Sequence, residues 1–85
     1  MEIYYSPGFE KSIKKIDYKL KDLVRLKQAV FKDDCFDPLL NTHKLHGKLK
    51  NYWSFSINNK IRIVFEFLGK NKVAFIDIGS HSIYK

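Results

Sequence analysis

The sequence holds one cysteine, two prolines, four glycines and one tryptophan among its 85 residues. A single thiol, Cys35, excludes an internal disulfide framework and any multi-cysteine zinc site, and fits a reducing compartment. Few Gly and Pro, no low-complexity run and a content of 45% hydrophobic and 15% aromatic residues exclude a disordered chain. No apolar stretch approaches the roughly 20 residues that span a bilayer. The first residues lack the basic and apolar regions of a signal peptide, so the expectation is a cytoplasmic protein with no membrane partner. The length fits one domain, residues 1–85, which must build its core from its seven Phe and five Tyr.

Acidic residues are missing from one stretch. Residues 1–37 carry 8 basic and 7 acidic side chains, and residues 66–85 carry 3 and 2. Between Pro38 and Phe65 there is no Asp or Glu, whereas Lys44, Lys48, Lys50, Lys60 and Arg62 are all present. Most of the net charge of +7 therefore sits in one segment, a candidate surface for a polyanion or an acidic protein partner.

The pattern changes once along the chain. Ile3, Tyr4 and Tyr5 favour an opening strand, and Ser6-Pro7 is a helix start. Phe9, Ile13 and Ile16 then share a helical face. A second helix is expected from Tyr18 to Lys32, capped by Asp17, with Leu20, Leu23, Val24, Val30 and Phe31 at helical spacing. Residues 33–42 have no sustained period, and Phe36, Leu39 and Leu40 are expected to tuck against the core. Strands follow over 51–57, 61–68 and 73–79.

Alternation sets the expected register. A three-residue loop, Asn58 to Lys60 with an Asn in the left-handed region, places Phe55 opposite Ile63, Trp53 opposite Phe65 and Ser56 beside Arg62. Pairing Phe65 with Ile76 and Ile63 with Ile78 extends the apolar face. The other face then carries Tyr52, Ser54, Ser56, Arg62, Val64, Glu66, Phe75 and Asp77, and parity carries it on to His81. The predicted fold class is α+β: an N-terminal strand and a two-helix hairpin on one face of a twisted antiparallel sheet.

Metal-free cleavage of an RNA phosphodiester needs a base for the 2′-hydroxyl, an acid for the leaving 5′-oxygen and a cation for the phosphorane-like charge. Histidine titrates near neutral pH, and the arginine fork matches phosphate. His43, His46, Arg62 and His81 are the candidates. Structural readings stand beside these. Arg62 could pair with Glu66 or Asp77, Asp77 could orient His81, His46 could be a surface residue, and Tyr84 could pack instead of stacking on a base. His43-x-x-His46 has the spacing of half a metal site, but no Cys or carboxylate cluster completes it, and no metal is expected.

The run Thr42-His43-Lys44-Leu45-His46-Gly47-Lys48-Leu49-Lys50-Asn51-Tyr52-Trp53-Ser54-Phe55, followed by Ile61-Arg62-Ile63-Val64-Phe65-Glu66 and Asp77-Ile78-Gly79-Ser80-His81, resembles the RelE/ParE superfamily of bacterial toxin–antitoxin systems. The likeness is strongest to its RelE and YafQ-like branches and covers essentially the whole chain. It implies a RelE-like toxin that enters the ribosomal A site and cuts mRNA, leaving a 2′,3′-cyclic phosphate, without metal or cofactor. It also implies a cognate acidic antitoxin, with operator DNA bound only through that partner.

By position, His43 resembles the histidine before the Leu-x-Gly segment of YafQ-like toxins, His81 their C-terminal active-site histidine, and Arg62 the strand arginine of RelE. The resulting expectation is Arg62 as phosphate clamp, His81 as general acid and His43 as base or orienting group, the acid and base labels being exchangeable. Tyr84 would stack on a base, and Lys44, Lys48, Lys50 and Lys60 would hold RNA backbone. Ser54 and Ser56 occupy positions where RelE-like enzymes carry lysines, and Tyr84 follows His81 by three residues instead of four. Two alternatives remain: a ParE-like gyrase poison, and a module that only binds an antitoxin.

Overall fold

In a computed structural model that describes residues 1–80, β1 (Glu2–Tyr5) leads directly into α1 (Pro7–Ile13). Ser6 makes that join. Its extended backbone lets Oγ accept from the Phe9 amide at 3.0 Å, and the same hydroxyl donates to the Ile76 carbonyl at 2.9 Å. Pro7, which lacks an amide hydrogen, sits where none is needed. α1 stops sooner than the spacing predicts. Ile16 lies beyond it, in a turn closed by Ile16 N–H donating to Ile13 O at 3.2 Å, and still packs on the core.

Asp17 caps a 3₁₀ turn, Tyr18–Leu20, by accepting from the Lys19 amide at 3.0 Å. α2 (Lys21–Asp33) follows, so the expected second helix starts with a tighter turn. Val24 and Phe31 are its buried residues.

Five strands form one sheet in the order β1-β5-β4-β3-β2. These are β2 (His43–Lys44), β3 (Trp53–Ser56), β4 (Arg62–Gly69) and β5 (Lys72–Gly79), antiparallel to one another, with β1 joining β5 in parallel at one edge. The β3–β4 register follows the alternation: Trp53 opposite Phe65, Phe55 opposite Ile63, Ser56 opposite Arg62. Its loop closes differently from expectation. Asn58 and Asn59 are not left-handed; instead Asn58 Oδ1 accepts from the amides of Lys60 (2.8 Å) and Ile61 (2.7 Å).

The β4–β5 register departs from strict alternation. Ile63 faces Ile78 and Val64 faces Asp77, but Phe65 faces Phe75, leaving Ile76 as an extra residue in a bulge. Phe75 therefore turns into the core, fully buried, and not onto the second face. Ile76 in turn offers its carbonyl to Ser6, which ties the bulge to the start of α1.

The helices cover one face of the sheet. Phe31 of α2 stacks on Phe55 with centroids 4.7 Å apart and meets Phe65 and Phe75 edge-on at 4.9 and 5.4 Å. Phe9 of α1 adds a contact to Phe75 at 5.5 Å. Leu40 is fully buried, as expected of residues 33–42, but Phe36 and Leu39 are 53% and 67% exposed. Residues 38–40 form a 3₁₀ turn that can direct only one of its apolar side chains inward, and Phe36 lies on the outside against Trp53 and Phe67.

Candidate active site

The register fixes what the second face presents. One cross-strand row runs His43–Ser54–Val64–Asp77, and the next runs Ser56–Arg62–Gly79. Strands about 4.8 Å apart, with a rise of about 3.3 Å per residue, put the Cα atoms of His43 and Arg62 roughly 12 Å apart. The centre of this face is buried at Ser54 and Val64, whereas His43 is exposed and Arg62 half-exposed.

Among the described residues Arg62 has no ion-pair partner, and its buried Nε makes no hydrogen bond. The ion pairs among the described residues are Arg25–Asp22 and Lys72–Glu2, both 3.6 Å and exposed. Neither Glu66 nor Asp77 forms an ion pair with Arg62; Asp77 Oδ1 accepts from the Ile78 amide at 2.9 Å. A guanidinium in this state is ready for an external anion.

His43 is reached through a turn. Pro38–Leu40 ends at Asn41, whose φ of 49° and ψ of 45° are left-handed, and the Asn41 carbonyl lies 3.0 Å from His43 Nδ1. Ser54, directly across from His43, is fully buried and its Oγ lacks a partner. Ser54 was placed on this face by alternation, but Asn41 had no place at the site; an Asn after a Pro-led turn is the signal that marks it.

The lysines bracket β3. Lys48 and Lys50 belong to the 3₁₀ turn Gly47–Leu49 and its end, before the strand, and Lys60 to the loop after it. Lys44 pairs with Trp53, so parity puts it on the helix-covered side of edge strand β2. All four are exposed. His46 is exposed at the N-cap of the Gly47–Leu49 turn and makes no capping bond through its side chain. Among the described residues no three His, Cys, Asp or Glu side chains cluster as metal ligands. His81 and Tyr84 lie outside the described residues; β5 reaches its last paired residue, Gly79, opposite Arg62.

A family model described as "Bacterial toxin of type II toxin-antitoxin system, YafQ" matches residues 1–84. The chain belongs to this family of toxins. Solved structures repeat its fold. YafQ from E. coli strain BL21(DE3) is similar over 98% of this chain and 96% of its own, with a TM-score of 0.81 at 15% identity. YafQ in the E. coli DinJ–YafQ toxin–antitoxin complex matches over 96% and 93%, with a TM-score of 0.77 at 16% identity. A YoeB/ParE toxin from Agrobacterium tumefaciens matches over 95% and 99%, with a TM-score of 0.76 at 18% identity. No curated protein matches the sequence significantly. No helix among the described residues is long and apolar enough to cross a membrane.

Proposed function

We propose that this YafQ-family toxin is a ribosome-dependent endoribonuclease that cuts mRNA in the A site. The observation that carries the reading is Arg62, a half-buried residue on the sheet face opposite the helices, with no counter-charge among the described residues and a buried Nε that makes no hydrogen bond. A structural arginine would be paired; one that binds a phosphate must be left open to it.

In the proposed reaction His43 Nε2 takes the proton of the 2′-hydroxyl, and the 2′-oxygen attacks phosphorus. The P–O5′ bond breaks as the P–O2′ bond forms. His81 gives its proton to the leaving 5′-oxygen, and the products are a 2′,3′-cyclic phosphate and a 5′-hydroxyl. Arg62 holds the non-bridging oxygens as charge gathers on them, a contribution of about 10²–10³ in rate for one such donor. Tyr84 stacks on a base, and Lys48, Lys50 and Lys60 hold RNA backbone, whereas the expected role of Lys44 does not fit its place on the helix-covered side of β2.

The partner proposed for the resting toxin is a cognate acidic antitoxin, which would also supply operator contacts. Two features support it: E. coli YafQ is found in a complex with the antitoxin DinJ, and this chain carries +7 with an acid-free stretch from Pro38 to Phe65. Induction in cells tests the enzymatic reading. Wild type should arrest growth and produce new 5′ ends within translated mRNA by primer extension, and His81→Ala should not. Identical patterns from the two, or gyrase-linked DNA breaks without mRNA cleavage, would overturn it.

A further inference from the structure

We infer that Asn41 is a positioning residue that sets which nitrogen of His43 is the base; this rests on the reading of His43 as the proton acceptor. A carbonyl oxygen carries no hydrogen. The 3.0 Å contact between Asn41 O and His43 Nδ1 is therefore a hydrogen bond only if Nδ1 donates, and the neutral ring then has its lone pair on Nε2. That is the nitrogen the proposed reaction requires, on an exposed residue that parity places on the sheet face opposite the helices.

The carbonyl points this way because of the Asn41 backbone. At φ 49° and ψ 45° it reverses the chain at the end of the Pro38–Leu40 turn, its own amide donating to Pro38 O at 3.3 Å. The turn is anchored on both sides. Leu40 is fully buried, and the Thr42 hydroxyl donates to Cys35 O at 2.6 Å. Asparagine tolerates this region better than other residues with a side chain, glycine adopts it freely, and a β-branched residue resists it. The side chain of Asn41 thus acts through backbone conformation, and the backbone acts through His43.

Long-range proton–nitrogen correlation spectra of the full-length ¹⁵N-labelled toxin, at a pH where the ring is neutral, test the inference without RNA. Wild type and Asn41→Gly should show His43 protonated at Nδ1, and Asn41→Val should shift it toward protonation at Nε2. Nε2 protonation in wild type, or the same tautomer in wild type and Asn41→Val, would overturn the inference; if the valine variant does not fold, Asn41→Ala takes its place. On ribosome-bound mRNA, Asn41→Val should lower the single-turnover cleavage rate at least about tenfold with half-saturation unchanged, and Asn41→Gly should recover most of it. The spectra decide the positioning role even if wild type cuts no RNA, so the two readings fail separately.

Discussion

Ser56 stands directly across from Arg62, which has no ion-pair partner among the described residues. A serine there supplies no charge, and the Nε of Arg62 remains buried and unpaired. An unsatisfied buried donor costs about 1–3 kcal/mol. Evolution keeps such groups where function needs them. Arg62→Met, which retains the stem and removes the donor, should leave stability unchanged or raise it by about 1 kcal/mol in urea unfolding. A loss above about 2 kcal/mol would mean that Arg62 is structural.

Phe31 is the centre of the core. It touches Phe55, Phe65 and Phe75 and is fully buried, so Phe31→Ala should cost about 3–5 kcal/mol. In a small domain with about 5–15 kcal/mol in all, that leaves little cooperative unfolding to measure. Phe31→Leu should cost less than the alanine change and retain a sharp thermal transition. Equal melting of Phe31→Ala and wild type would contradict this packing.

The β3–β4 hairpin was legible because Trp53, Phe55, Ile63 and Phe65 alternate with Ser54, Ser56, Arg62 and Glu66, Val64 being the one apolar exception, and a three-residue loop joins like with like where a two-residue one does not. The β4–β5 pair was not, because Phe75 and Ile76 are adjacent apolar residues and either could face Phe65. The choice falls to a long-range contact, the Ser6 hydroxyl on the Ile76 carbonyl. β2 is two residues long, too short to show a period, so its placement of His43 beside Ser54 came only with the structure. At the site, the residue types and parity of Arg62 could be read from sequence. Its lack of an ion-pair partner among the described residues could not, since that depends on side-chain placement and not on strand parity.

Ser6→Ala tests that link. The hydroxyl both caps α1 and holds the bulge, so its removal should cost about 1–2 kcal/mol by chemical denaturation. A cost indistinguishable from zero would separate α1 from the bulge energetically.

Stability should fall at alkaline pH through Cys35. Burial, reinforced by the negative charge of Asp34, pushes its thiol above the ordinary value. The folded state therefore holds that proton more tightly than the unfolded chain. The contribution is complete below the unfolded pKa, about 8.5, and is lost as pH rises through the folded value. The urea midpoint should decline in that window in wild type and decline less in Cys35→Ala; parallel declines would assign the loss to other groups.

The basic bracket around β3 should be visible in salt. If Lys48 and Lys50 contact backbone phosphates, Lys48→Gln with Lys50→Gln should weaken binding to single-stranded RNA and reduce the slope of log K against log salt by about 0.7 per lysine. An unchanged slope would remove them from the interface.

The most direct test is cleavage of mRNA in reconstituted ribosome complexes, followed in a single turnover with the product ends identified. Wild type should cleave in the A site and leave a 2′,3′-cyclic phosphate, and Arg62→Ala should be about 10²–10³ slower at unchanged fold. Cleavage by Arg62→Ala at the wild-type rate, or none by wild type, would contradict the proposed function.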